Sequence, residues 1–238
     1  MIDPLTIKIF ADGADKAAML QLYANPVIQG FTTNPTLMRK AGVRDVEAFA
    51  RDVLAAIPDR PISFEVFSDD FDEMERQART IASWGDNVYV KIPVTDTKGT
   101  SSAPLVRKLS GEGVKLNVTA LMTVQQVREV GRALADGPNS YVSVFAGRIA
   151  DAGVDPLPIM LAALSELQPY PQLELIWASP REVFNIVQAD RAGCHIITVT
   201  SDLLAKLPGL GKNLGQFSLE TVQMFHRDAQ AAGLEIPG

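Results

Sequence analysis

Asn87-Val88-Tyr89-Val90-Lys91-Ile92-Pro93-Val94 reads as a β-strand, filled with β-branched and aromatic residues and closed off near a proline. Near its end stands a lysine with apolar neighbours on both sides. An amine held there loses hydration, which favours the neutral form. A neutral lysine amine can attack a carbonyl and form a Schiff base. The competing reading is an edge lysine whose ammonium reaches back to water along a buried stem. Taken alone the stretch favours that second reading; its surroundings reverse the preference.

Similar short runs recur along the chain at residues 7–11, 29–32, 62–67, 115–119, 141–145, 173–178 and 195–200. Longer amphipathic stretches separate them, at 16–23, 45–56, 72–84, 104–111, 124–135, 156–167 and 181–189. Strand–helix alternation implies parallel pairing through right-handed crossovers. Eight such units in 238 residues predict an α/β fold of one domain over residues 1–238: a closed eight-stranded parallel (β/α)8 TIM barrel. The main competitor is a doubly wound open sheet, which normally carries a glycine-rich phosphate loop after its first strand. Here that position holds Ala11-Asp12-Gly13-Ala14-Asp15, which is not such a loop. Ser179-Pro180-Arg181-Glu182 predicts a cap followed by a helix starting with proline, and Thr123 is a cap-like hydroxyl before residue 124. After the eighth strand the spacing predicts a short helix at 201–207 and a glycine-rich turn at 208–215. An additional C-terminal helix is predicted at 218–232, with Leu219, Val222, Phe225 and Ala229 at helical spacing. That helix covers the barrel or docks on a neighbouring subunit.

Composition narrows the function classes. Hydrophobic residues make up 47% of the chain, enough for a large core, and the net charge is -6. No basic patch stands out, so no nucleic-acid partner is expected. No apolar run approaches membrane-spanning length, and Met1-Ile2-Asp3-Pro4-Leu5 lacks the pattern of a signal peptide. The single cysteine, Cys194, fits a reducing cytoplasm, where the protein is expected to reside. One cysteine with His195 and His226 makes no zinc cluster; a carboxylate site for magnesium stays open, although no spacing suggests one.

In a barrel of this kind chemistry sits at the C-terminal ends of the strands. The polar residues there are Asp12 on the first strand and Thr32, Thr33 and Asn34 on the second. Glu65 lies on the third, Lys91 on the fourth, and Asn117 and Thr119 on the fifth. Ser143, Phe145 and Arg148 come from the sixth, and Ser179 and Arg181 follow the seventh. Lys91 is the candidate nucleophile. A Schiff base turns a ketone into an electron sink, so a neighbouring C–C bond can break. Asp12 can take the proton of the departing hydroxyl. Glu65, walled by apolar residues, can move protons during imine formation, with Thr119 positioning a water. Asn34 and Asn117 can hydrogen-bond substrate hydroxyls. Arg148 and Arg181 offer planar forks for a phosphate, with Ser179 as a further donor.

Each residue also has a plainer reading. Asp12 can cap the helix that starts near Ala14, Glu65 can pair with a cation on a neighbouring strand, and Asn34 before Pro35 can be a turn residue. Arg148 and Arg181 can form surface ion pairs, Phe145 can be core, and Cys194 and His195 sit at the end of the last strand away from catalysis.

At these residues the chain resembles the transaldolase family. The motifs are Gly30-Phe31-Thr32-Thr33-Asn34-Pro35-Thr36, Val90-Lys91-Ile92-Pro93, Leu116-Asn117-Val118-Thr119, Ser143-Val144-Phe145-Ala146-Gly147-Arg148-Ile149 and Ala178-Ser179-Pro180-Arg181. They span most of the chain in the family's order. The resemblance implies a Schiff base on Lys91, no metal and no organic cofactor. It also implies transfer of a dihydroxyacetone unit between sugar phosphates: from a ketose phosphate to an aldose phosphate. By position it makes Asp12 the acid/base, Glu65 and Thr119 the pair on the catalytic water, Asn34 and Asn117 the donor-hydroxyl ligands, and Arg148, Ser179 and Arg181 the phosphate site. A sister branch, the fructose 6-phosphate aldolases, releases free dihydroxyacetone and carries a glutamine where this chain has Glu65, which favours the transferase. Pro180 stands where many members have an aromatic residue. The chain also lacks the extra N-terminal helices of longer members. Short members use their C-terminal helix to reach a neighbouring subunit, which implies a homo-oligomer, a ring among its forms. A barrel that merely binds a sugar phosphate, from another functional class, would keep Arg148 and Arg181 but have no use for Lys91 or Glu65.

Overall fold

The computed structural model describes residues 5–236; residues 1–4, most of the segment read above for a signal peptide, and 237–238 lie outside it. Eight parallel strands close into a barrel in chain order. They are β1 (Lys8–Asp12), β2 (Ile28–Thr32), β3 (Ile62–Glu65), β4 (Val88–Pro93), β5 (Leu116–Leu121), β6 (Ser140–Val144), β7 (Leu173–Trp177) and β8 (Ile196–Thr200), with β8 pairing back onto β1. The expected (β/α)8 barrel is therefore the fold, and every strand lies within two residues of its predicted bounds.

The crossover helices are α1 (Lys16–Tyr23), α2 (Pro35–Lys40), α3 (Val46–Ala56), α4 (Phe71–Ala82), α5 (Ala103–Gly111), α6 (Val124–Leu134), α7 (Ala146–Asp151), α8 (Pro156–Leu167) and α9 (Phe184–Ala192). After β8 come α10 (Ser201–Leu204), a 3-10 turn at Leu207–Gly209, and α11 (Leu214–Ala231). Caps explain most starts: Asp15, Asp45, Asp70 and Asp155 each accept a backbone N–H in the first turn, and Thr123 and Gln126 form the reciprocal capping box.

Three local expectations are corrected, and one helix is added that the spacing did not predict. Asn34-Pro35 opens α2 rather than a bare turn, because Asn34 accepts the Leu37 N–H and Pro35 needs no donor at the first helical position. Residues 146–151 form α7 directly after β6. Ser179 caps nothing: its backbone is left-handed at φ 60, and α9 begins only at Phe184. Asn185 takes the N–H groups of Arg181 and Glu182 instead. The C-terminal helix starts at Leu214 with Asn213 as its cap, so the predicted turn ends earlier than glycine content suggested.

Two layers of core follow from strand periodicity of two. Outward-facing side chains such as Ile9, Phe31, Phe64, Val90, Val118 and Leu175 pack beneath the helices. Inward-facing Phe10, Tyr89, Tyr141, Ile176 and Ile196 fill the lower barrel. Tyr89 stacks on Tyr141 at 4.0 Å, and Phe10 meets Tyr141 edge-on at 5.7 Å. Gly30 admits that plug, since a Cβ there would lie 2.6 Å from the Phe10 ring. The next inward residues up are polar on β1, β2, β3, β4, β5, β6 and β8, whereas β7 continues with Ala178. The barrel is thus closed by aromatics below and open to chemistry above.

Candidate active site

Two residues above the plug, the register aligns Glu65 with Lys91 and Lys91 with Asn117 across β3, β4 and β5. On the opposite wall Asp12 is aligned with Thr32 on one side and Thr200 on the other. These positions surround a cavity of about 570 Å³ at the C-terminal mouth of the barrel. Of the residues singled out from sequence, Asp12, Thr32, Asn34, Glu65, Lys91, Asn117, Thr119, Ser143, Phe145, Arg148, Ser179 and Arg181 line it.

Lys91 is buried rather than snorkelling, at 6% exposure. Its Nζ donates to the Thr33 carbonyl at 2.7 Å and sits 3.1 Å from Glu65 Oε2. The ammonium is therefore held on two sides and directed into the cavity, and a proton has a direct route to the Glu65 carboxylate. Glu65 pairs with its neighbouring cation, as its plainer reading anticipated, and that cation is the candidate nucleophile itself.

Asp12 accepts a hydrogen bond from Thr32 Oγ1 at 2.7 Å. Asp15, not Asp12, caps α1, so the Asp12 carboxylate is left to the cavity. Burial pushes its carboxyl above the usual aspartate range, against the opposing pull of the Lys91 charge and the Thr32 hydroxyl. Glu65 adds a smaller upward push through its own charge.

Asn117 is fully buried and doubly anchored: its amide nitrogen donates to Ser63 Oγ at 3.0 Å, and its carbonyl oxygen accepts from Ser143 Oγ at 2.7 Å. One amide hydrogen remains for a substrate hydroxyl. Thr119 Oγ1 is buried with no hydrogen-bond partner among the described residues. The next residue, Ala120, has φ 65, and the β5–β6 register breaks between Val118 and Leu121. That local strain turns the end of β5 into the cavity wall, a common device at functional sites.

Thr33 departs from expectation. Its hydroxyl donates to the Ser63 carbonyl inside the wall, so only its backbone oxygen serves the site, by holding Lys91. Asn34 caps α2 through Oδ1 while lining the cavity. At the mouth Arg148 is exposed, lies 5.9 Å from the Phe145 ring centroid and makes no ion pair among the described residues. Arg181 instead forms a two-pronged pair with Asp151, which holds the Asp151 carboxyl below the usual range. Sequence reasoning missed Thr198, Thr200 and Asp202, which line the same cavity from β8 and α10. Alternation along β8 was the available signal. Among the described residues no group of three or more potential metal-ligating side chains comes together.

The family model described as Transaldolase/Fructose-6-phosphate aldolase matches residues 9–236. The chain belongs to that transaldolase/fructose-6-phosphate aldolase family. Relatives named "Probable transaldolase" from Streptococcus pyogenes serotype M5 (strain Manfredo) and serotype M49 (strain NZ131) are each 38% identical over 203 residues. Each alignment covers 84% of this chain and 90% of the relative. A transaldolase-family enzyme of the aldolase type is thus supported by kinship as well as by the cavity. The crystal structure of 2,3-dimethylmalate lyase, a member of the PEP mutase/isocitrate lyase superfamily, is similar at a TM-score of 0.57 and 12% identity. It covers 98% of this chain and 85% of its own, a likeness of barrel architecture alone.

Proposed function

We propose that this chain is a transaldolase that moves a dihydroxyacetone unit from a ketose phosphate, such as fructose 6-phosphate or sedoheptulose 7-phosphate, to an aldose phosphate. The observation that carries the reading is the buried Lys91, 3.1 Å from Glu65 and facing the same cavity as Asp12. Lys91, having passed its extra proton to Glu65, attacks the donor ketone. Glu65 returns the proton as the carbinolamine loses water and the iminium forms. Asp12 then takes the proton of the hydroxyl on the carbon beyond the bond to be cleaved. That C–C bond breaks, its electrons move onto the iminium to give an enamine, and the aldose phosphate departs. The enamine attacks an acceptor aldehyde, and Asp12 gives its proton to the new alkoxide. A water deprotonated by Glu65 then adds to the regenerated iminium, so that the C–N bond breaks, the new ketose phosphate leaves and Lys91 is freed. Asn117 and Asn34 hold the donor hydroxyls, Thr119 positions the water of imine chemistry, and Arg148 receives the phosphate with Ser179 and Arg181. No metal or organic cofactor is needed for these steps.

Glu65 also supports transfer over release of free dihydroxyacetone, because the releasing branch carries a glutamine at this position. Two further readings accompany the proposal: the enzyme works on small sugar phosphates in the cytoplasm, and it assembles with copies of itself through α11. None of the residues of α11 is buried, and Phe217, Val222 and Phe225 lie open on it. Among the described residues no helix is long and apolar enough to cross a membrane.

Borohydride trapping with fructose 6-phosphate tests the chemistry. A dihydroxyacetone-sized adduct mapped to Lys91, absent in Lys91→Ala, is the expected result. A folded enzyme that turns over without any adduct, or a Lys91→Ala variant with near-normal turnover, refutes the Schiff base. Glu65→Gln is expected to lower transfer and raise free cleavage.

A further inference from the structure

We infer that Thr198, on the one strand from which sequence reasoning drew no site residue, is a positioning residue that acts on Asp12 through Thr32. The inference deepens the reading of Asp12 as the acid/base and rests on it. Thr32 Oγ1 lies 2.7 Å from Asp12 Oδ1 and 2.5 Å from Thr198 Oγ1. A hydroxyl carries one proton. An ionised carboxylate can only accept, so Thr32 spends its proton on Asp12, and Thr198 must donate to Thr32. The direction of the whole chain is therefore set: Thr198 to Thr32 to Asp12.

The barrel makes this arrangement hard to avoid. β1 lies between β2 and β8, and register places Asp12 beside Thr32 and Phe10 beside Thr198. Thr198 thus points inward one step below Asp12, where it meets Thr32 across the inner face of β1. Both threonines are buried, at 3% and 6% exposure, so water does not compete with the chain. Asp12 has no ion pair among the described residues. The charged groups facing it are Lys91 on β4 and Glu65 on β3, and these are engaged with each other. Asp202, Arg148 and Arg181 line the same cavity from later elements. The threonine pair is then the direct polar support of the carboxylate. It fixes Oδ1 and leaves Oδ2 for the substrate hydroxyl. It also favours the ionised form, since donors in series polarise one another.

The test compares wild type, Thr198→Val (the same shape without the hydroxyl) and Thr198→Ser (the hydroxyl restored). kcat/KM is followed across pH with fructose 6-phosphate as donor and erythrose 4-phosphate as acceptor. In parallel the Asp12 carboxyl is titrated by carbon-13 NMR on aspartate-labelled protein, its signal assigned with Asp12→Asn. We expect Thr198→Val to move both the Asp12 titration and the acid limb up by roughly half a pH unit. kcat should fall roughly fivefold, the scale of one hydrogen bond, with KM little changed, and Thr198→Ser should recover all three. Thr198→Ala repeats the comparison if the valine variant folds poorly. A titration that stays put in both hydroxyl-free variants overturns the relay, and so does an activity loss that serine does not rescue. A titration that moves and recovers while the acid limb stays still supports the relay and instead removes Asp12 from the role of reacting base.

Discussion

Gly147→Ala tests how the two arginine-bearing strand ends are held together. Gly147 lies in α7 between β6 and Arg148, and its N–H faces the Ala178 carbonyl at 3.4 Å. A Cβ at this position would stand 1.6 Å from the Ser179 carbonyl oxygen and 2.7 Å from its carbon. The obstacle is backbone, and backbone already held left-handed at Ser179, so no side chain can swing away to make room. The gap must open by well over an ångström, and in a close-packed wall that strain costs about 1–3 kcal/mol. For a chain of this size each kcal/mol lowers Tm by about 2–4 °C, so a drop of roughly 2–12 °C is expected. The displaced groups are Ser179 and, through its Cγ at 3.3 Å from the new atom, Arg181. kcat/KM for fructose 6-phosphate should therefore fall roughly tenfold or more, the cost of one charge-assisted contact. An unphosphorylated ketose donor should lose much less. Calorimetry and steady-state kinetics on the two donors provide the readout. Gly111→Ala, at the end of α5 where an added Cβ meets nothing within 4 Å, is the control expected to be neutral or slightly stabilising. A Gly147→Ala protein with wild-type Tm and an unchanged phosphate preference would refute the close-approach reasoning.

Two other predictions follow from buried charge and from exposed apolar surface. Asp12 holds its proton more tightly folded than unfolded, so it lowers wild-type stability as pH rises from the ordinary aspartate range through its raised value, and keeps it lowered above that. Asp12→Asn should then be inactive yet more resistant to denaturant at neutral pH, with the gap closing on acidification; a variant less stable than wild type at neutral pH would contradict this. For α11, Phe217→Asp combined with Phe225→Asp should lower the molar mass measured by light scattering, each lost ring removing about 1.5–3 kcal/mol of burial from the contact. A wild-type protein that is already monomeric would remove the basis for that contact.

The barrel was legible because two periodicities agree. Strand runs such as 88–94 keep apolar residues on the outward positions, Val90 and Ile92, while Tyr89 and Lys91 point inward. Once strand ends are taken as the active face, Asp12, Glu65, Lys91 and Asn117 select themselves by polarity. What stayed hidden has specific physical reasons. Thr198 carries no charge or amide to mark it, and threonine in a strand looks like ordinary β propensity. Only the closed register, which returns β8 to β1, brings its hydroxyl to Thr32. Thr33 looked like Thr32 in sequence, yet a step of one residue turns its side chain into the wall, where it bonds Ser63. Ala120 and Ser179 adopt φ of 65 and 60 with residue types that do not advertise a left-handed backbone. Ala120 lies within the broken β5–β6 register, and the Ser179 backbone oxygen lies where a Cβ on Gly147 would stand, so both conformations go with contacts between strands rather than with local sequence. Composition and spacing therefore identify which side chains can do chemistry, whereas the geometry that aims them depends on contacts between strands far apart in the chain. The least legible residues are those whose only partners lie across the barrel closure, and Thr198 is the clearest of them.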